Sequence, residues 1–261
     1  MMKAVFAYFQ KQYQWSQPFT TDPDMLVRDL IQQGVEKAFT LAYTHKPGLS
    51  QQLNKWLHSF CLEYPLLEPF GAIHPHDPEP EKTAIECLDH YNFPGLKLHC
   101  LVQQCRPDDE RLSPVYQAIA ERSKGIIIHA SNFPLPFKDY LGVTGIANLL
   151  RSFPGLNLVV PHLGLHDLRE YSSLLEKYDG LFLDTSFVFQ NSAFVPPLNE
   201  IEEIMLAYPD RFIYGSDYPF ILEPPQNGIA RVKELDLPEE NFRKLFHENA
   251  AKFLNRVTGT L

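Results

Sequence analysis

The chain has 261 residues, 44% of them hydrophobic, and a formal net charge of -9. That length suits one large α/β barrel or two small domains and buries enough apolar surface to need no disulfide or metal staple. The negative charge argues against nucleic acid and anionic membrane surfaces as partners.

The opening stretch "MMKAVFAYFQ" has neither the long apolar core nor the small-residue cleavage site of a secretory leader, and no later run reaches the length of a membrane span. Cys61, Cys87, Cys100 and Cys105 form no C-x-x-C pair, so they read as free thiols in a reducing cytosol. One cytoplasmic domain over residues 1–261 is the expectation, since no linker interrupts the chain.

Taken in order, "MKAVFAYF" fits a strand, but Val5/Phe9 and Phe6/Phe9/Tyr13 also fit a helix, and periodicity leaves both open. "DPDMLVRDLIQQG" reads as a helix with an Asp–Pro start, Leu26/Leu30 and Val27/Ile31 pairs and a Gly stop. Strands are expected at 37–43, 69–74, 95–99, 125–130, 157–162, 181–186 and 211–217. These runs are rich in Ile, Val, Leu and Phe with little alternation, as in strands covered on both faces. Helical spacing recurs in "DDERLSPVYQAIAERSKG" and "HDLREYSSLLEKYDG". In the last helix Phe242, Leu245, Phe246, Ala250 and Phe253 are expected on one face. Strand ends fall roughly 23–33 residues apart, the size of a βαβ unit. No Gly-rich phosphate loop follows any strand, so a (β/α)8 TIM barrel with an uncertain first strand is preferred to a doubly wound sheet.

A barrel carries its chemistry at the C-terminal ends of its strands. Those ends supply His45 just past Tyr43, then His74, Lys97 with His99, His129, His162, Thr185 with Ser186, and Asp217. Ten histidines spread at random would put roughly 0.6 on about sixteen tip positions; four fall there. Imidazole nitrogens and a carboxylate oxygen suit Zn²⁺ and similar divalent ions, which lower the pKa of bound water. Asp217 is then a ligand, a base, or both. Singly, each residue has a plainer reading: His129 as a hydrogen-bonded core histidine, His162 as closing a turn after Pro161, Asp217 as capping the bend at Gly215–Pro219. Their recurrence on successive tips favours a shared site. Lys97 shares a strand face with His99; inward it can bind a substrate carboxylate or become a carboxylated ligand, outward it is solvated. His76 reads as solvated, His166 and Asp167 as starting a helix, and His58, His90 and His247 as surface residues of helical segments.

Read together, "FGAIHPHD", "FPGLKLHC", "IIIHAS", "LVVPHLG", "LFLDTS", "FIYGSDYPF" and "ENAAKFL" resemble, in order, the amidohydrolase-related family, in the branch that includes aminocarboxymuconate-semialdehyde decarboxylase. The resemblance covers about residues 36–254. It implies a metal-bearing barrel with His129 as the strand-five metal ligand, Asp217 as the strand-eight aspartate that binds metal and handles the proton, and His162 as the strand-six histidine that orients or deprotonates the attacking water. Ser216 stands where the family usually has Thr. The family also opens on H-x-H, two further ligands, whereas the first histidine of this sequence is His45. Either the sequence starts downstream of strand one or the motif is lost. His45, His74 and His99 are candidates to complete the ligand set.

Two classes of function follow. The first is a metal-dependent hydrolase, with Zn²⁺ the leading ion, acting on an amide, ester or lactone of a small carboxylate-bearing molecule; His45, His74, Lys97 and His99 would hold the substrate. Non-oxidative decarboxylation is the alternative within the family, with Lys97 or Arg106 holding the acid group. The second class is a degenerate barrel that binds a small molecule or partner without turnover. The loops 131–140 and 187–198, aromatic and Pro-rich, are expected to shape the entrance. Many barrels of this sort pair up as homodimers, but no dimer seam is legible in the sequence, and the oligomeric state stays open.

Overall fold

Seven parallel strands run side by side in chain order in the computed structural model: β1 Ala38–Leu41, β2 Leu67–Ala72, β3 Gly95–His99, β4 Gly125–His129, β5 Asn157–Val160, β6 Leu181–Asp184 and β7 Phe212–Ile213. The structure describes residues 6, 7, 10, 11, 14, 18–131, 140–190 and 196–259. All seven strands fall within or beside the segments expected from sequence. The α-helices are α1 Pro23–Gln32, α2 Ser50–Glu63, α3 Pro80–Ile85, α4 Cys100–Gln103, α5 Ser113–Glu121, α6 Val143–Ser152, α7 Leu168–Lys177, α8 Leu198–Ala207, α9 Pro225–Val232, α10 Glu239–Arg243 and α11 Asn249–Thr258. This is the TIM-barrel architecture, a parallel sheet curled on itself with helices outside. α1 starts as its sequence requires: the Asp22 carboxylate accepts from the Asp24 and Met25 backbone N–H groups, and Pro23 fills a first-turn position that has no hydrogen bond to lose.

Alternation along the strands sorts two cores. Leu96, Leu98, Ile126, Ile128, Leu158, Val160, Leu181, Leu183 and Phe212 face outward and pack with the helices. Phe70, Ile127, Val159, Phe182 and Ile213 face inward and pack with Phe253 and Val257 of α11. Phe253 lies 6.0 Å from Phe39 of β1 and 5.4 Å from Phe182 of β6, ring centre to ring centre, so residues near both edges of the sheet meet on one ring. A Cβ on Gly125, the first residue of β4, would stand 2.8 Å from the Phe253 ring. α11 therefore plugs the N-terminal end of the barrel.

The single apolar face expected for the last helix is divided. Phe242, Leu245 and Phe246 join the outer core, and Ala250 and Phe253 the interior. A π-helical turn at Lys244–Glu248 carries Leu245 and Phe246, and its wider turn rotates the residues after it, Ala250 and Phe253, onto a second surface. The sequence left the first strand open. Residues 6, 7, 10 and 11 are helical, while 1–5, 8–9, 12–13 and 15–17 lie outside the described residues. Phe6 meets Phe220 edge-on at 5.3 Å, which puts it beside the segment after β7. Among the described residues β1 and β7 each have one strand partner. All four cysteines are free and buried, and no helix of the described residues is long and apolar enough to cross a membrane.

Candidate active site

Inward alternation carries the chemistry upward from the apolar interior. Lys97 pairs in register with Ile127, and two residues on His99 pairs with His129, so the two imidazoles occupy neighbouring places at the strand ends. Their rings stack with centres 4.0 Å apart. Asp184 follows Phe182 inward at the end of β6 by the same alternation. Lys97, with 5% exposure, is thus an inward lysine rather than a solvated one.

After β5 the chain turns through left-handed backbone at His162, φ 63°, Leu163, φ 52°, and Gly164, φ 68°. A Cβ on Gly164 would run into the Tyr171 ring, which explains the Gly of "HLG". The turn swings His162 inward: its Nε2 lies 2.9 Å from His129 Nδ1, and its Nδ1 lies 2.7 Å from the Ser186 carbonyl oxygen. Asp184 Oδ1 accepts from the His162 backbone N–H at 3.2 Å and the Ser186 backbone N–H at 2.8 Å, and the Ser186 hydroxyl donates to the same oxygen. After β7, Gly215 admits these groups, since a Cβ there would stand 3.0 Å from Ser186 Cβ and 3.3 Å from Asp184 Oδ1. Thr185 Oγ1 ties β6 to this bend, accepting from the Gly215 N–H at 3.1 Å and donating to its carbonyl at 3.2 Å. Asp217 also takes left-handed backbone, φ 65°, a conformation that costs a non-glycine residue roughly 1 kcal/mol and clusters at functional sites.

The electrostatics follow from enclosure. Burial pushes the Asp217 carboxyl up to about 7; Asp184 adds to the shift and the Lys97 ammonium opposes it. Burial lowers Lys97 to about 8 against the pull of Asp184 and Asp217. Burial holds His99 well below the ordinary histidine value, helped by Lys97 and His162. It also lowers His162, opposed by Asp184 and the Ser186 carbonyl. Tyr43, its ring 4.6 Å from His99, is raised by burial and by Asp217. His99 Nδ1 is buried without a hydrogen-bond partner.

The sequence-expected residues therefore divide. Lys97, His99, His129, His162 and Asp217 share the inner end of the barrel. His45 is exposed at the rim. His74 is buried in the next loop, where its backbone N–H bonds Asp77 and its Nδ1 accepts from the His76 N–H. Arg106 lies at the surface, bidentate to Asp108. Asp184 and Tyr43 are additions that the sequence reading passed over. Asp184 could have been found by counting two residues inward from Phe182 in "LFLDTS". Of the two entrance loops, residues 132–139 and 191–195 lie outside the described residues.

With this geometry the model of the amidohydrolase family matches residues 44–256. The chain belongs to the amidohydrolase family. Solved structures agree on the fold. An uncharacterized TIM-barrel protein from Bordetella bronchiseptica aligns at 19% identity over 98% of this chain and 92% of its own, with a TM-score of 0.79. 5-Carboxyvanillate decarboxylase from Sphingomonas paucimobilis aligns at 17% over 88% and 82%, TM-score 0.64. A dihydroxybenzoic acid decarboxylase from a Polaromonas species, with bound manganese and the inhibitor 2-nitroresorcinol, aligns at 14% over 98% and 92%, TM-score 0.68.

Among the described residues the donor set of this family member does not fit a metal ion. A zinc ion held by protein takes three or four protein ligands. Among the described residues no group of three His, Cys, Asp or Glu side chains is placed to hold one. The expected pair, His129 and Asp217, stops at two, and His129 Nδ1 faces His162. Chain purified and dialysed without added metal is expected to carry well below one zinc or manganese ion per molecule by mass spectrometry. A near-stoichiometric content would reveal ligands beyond this set.

Proposed function

We propose that this amidohydrolase-family chain is a non-oxidative decarboxylase of a small aromatic or conjugated carboxylic acid. The observation that carries the reading is a buried ammonium, Lys97, electrostatically coupled to a carboxyl, Asp217, that burial keeps partly protonated near neutral pH. The two decarboxylases that share the fold support it. In this reading Lys97 holds the substrate carboxylate. Asp217 gives its proton to the carbon that bears that carboxylate. The carbon–carboxylate bond then breaks, its electron pair returns to the ring, and CO2 leaves. Asp217 recovers a proton from solvent, so one proton is consumed for each CO2 released. The orphaned His99 Nδ1 is placed to meet a polar substituent such as a phenolic hydroxyl.

The hydrolase reading takes second place because its attacking hydroxide calls for a metal that this donor set does not fit. The same misfit favours a different reading, a barrel that binds without turnover. A panel of hydroxybenzoates, incubated with and without Mn²⁺, separates them. CO2 release is expected from at least one member. Tight binding of 2-nitroresorcinol with no CO2 from any acid would support the binder instead. Lys97→Met is expected to raise KM for the acid by about 10–100-fold, the value of a hydrogen bond to a charged group. An unchanged KM removes Lys97 from substrate binding.

A further inference from the structure

The hydrogen bonds around His162 have a direction. The Asp184 carboxylate can only accept, so the Ser186 hydroxyl donates to it. The Ser186 oxygen then presents a lone pair 3.0 Å from His162 Nδ1, and the Ser186 carbonyl, also only an acceptor, lies 2.7 Å from the same nitrogen. Two acceptors place the proton of His162 on Nδ1. His162 has 5% exposure, and burial lowers its pKa and so favours the neutral imidazole. His162 Nε2 is therefore an acceptor, and His129 Nδ1, 2.9 Å away, must donate to it. His129 Nε2 lies 3.3 Å from the Ser131 hydroxyl.

We propose that His129, His162, Ser186 and Asp184 form one hydrogen-bond chain in which every donor points toward Asp184, and that Asp184 is the positioning residue for both imidazoles. The same carboxylate oxygen also pins the His162 backbone N–H and so holds the left-handed turn that brings the ring inward. Asp184 sets which nitrogen of each ring donates along the chain. The tautomers follow from hydrogen bonding alone; what they contribute to turnover rests on the decarboxylase reading.

Long-range proton–nitrogen NMR spectra of the full chain labelled with ¹⁵N-histidine test this directly. Assignment uses His129→Asn and His162→Asn. Both rings are expected in the Nδ1–H form with observable ring N–H protons. Asp184→Ala frees the Ser186 hydroxyl to donate to His162 Nδ1 in competition with the Ser186 carbonyl and releases the His162 backbone N–H, so it is expected to convert His162 to a mixture of tautomers and to lose its ring N–H signal. Asp184→Asn, which keeps an oxygen acceptor, should restore the single form. An Nε2–H ring at either position in the unmodified chain, or an Asp184→Ala spectrum identical to it, overturns the proposal. Should Asp184→Ala fail to fold, Ser186→Ala takes its place. It cuts the link to Asp184 but keeps the carbonyl, so His162 should stay Nδ1–H with a displaced nitrogen resonance, and an undisplaced one overturns the chain. Absence of CO2 release alongside two Nδ1–H rings would defeat the decarboxylase reading only.

Discussion

Asp217→Asn is expected to cut CO2 release from an accepted hydroxybenzoate by about 10²–10⁴-fold, the usual worth of a positioned proton donor, while making the protein more stable at pH 8. The two effects have one origin. Burial, reinforced by Asp184, raises the carboxyl from 3.8 to about 7, against the opposing pull of Lys97. Between those values the folded chain holds a proton that the unfolded chain has released. The slope of unfolding free energy with pH is then negative, so stability is fully present below about pH 4 and is lost as the pH rises through about 7. Asn cannot ionise and escapes that loss. One pKa unit corresponds to about 1.36 kcal/mol. With partial solvent access to the side chain allowed for, the gain should reach about 1–3 kcal/mol above pH 7 and vanish near pH 4. Asn also tolerates the left-handed backbone at this position, so the substitution adds no strain of its own. His99 and His162 act in the opposite sense: their depressed values cost stability as the pH falls below the ordinary histidine value of 6.5. That contribution is common to both proteins and cancels in the difference. Thermal midpoints from pH 4 to 9 check the result. A difference that stays flat across this range would mean that the carboxyl titrates near its ordinary value and is no proton donor near neutrality.

Why a carboxyl sits where an apolar strand ends was half legible in the sequence. "RFIYGSDYPF" marks Asp217 as lying just past a strand, and strand ends in a barrel converge, which is enough to group it with His129 and His162. Tip position does not tell which way a side chain points once the strand has ended. His45 and His74 count as tip residues by that rule, yet their side chains belong to the loops beyond β1 and β2, and the structure sets them apart from Lys97 and His99. Lys97 was undecided for a related reason. Alternation fixes its phase relative to His99 but not relative to the barrel, and that needed the register with Ile127 and His129. Asp184 is not singled out by sequence because it stands in a run of three polar residues with Thr185 and Ser186, and only the inward phase of Phe182 sets it apart. The division of the last helix was not legible at all. A π turn keeps helical spacing locally while rotating everything after it, and the stripe from Phe242 to Phe253 therefore looks continuous on a helical wheel.

Phe253→Ala is expected to cost about 3–5 kcal/mol in urea unfolding, with the denaturant slope unchanged, because this ring is where the curled sheet closes on its own interior. Phe253 is fully buried and touches Phe39, Phe70 and Phe182, which come from three separate strands. Its tip rests where Gly125 has no side chain, so ring and glycine fit each other. A cavity left there closes poorly: the lining residues sit on strands locked by parallel register, and a strand cannot move inward without breaking its ladder. Phe242, before the π turn, and Phe246, within it, are only half-buried on the outer face, and their truncation should cost about 1 kcal/mol each. Phe253→Leu should recover roughly half of the loss by refilling part of the volume. Since the ring lies at the opposite end of the strands from Lys97, Asp184 and Asp217, activity per folded molecule should hold. A cost below about 1 kcal/mol for Phe253→Ala would mean that the helix merely lies against the barrel end, and that the interior closes on the inward residues of the strands alone.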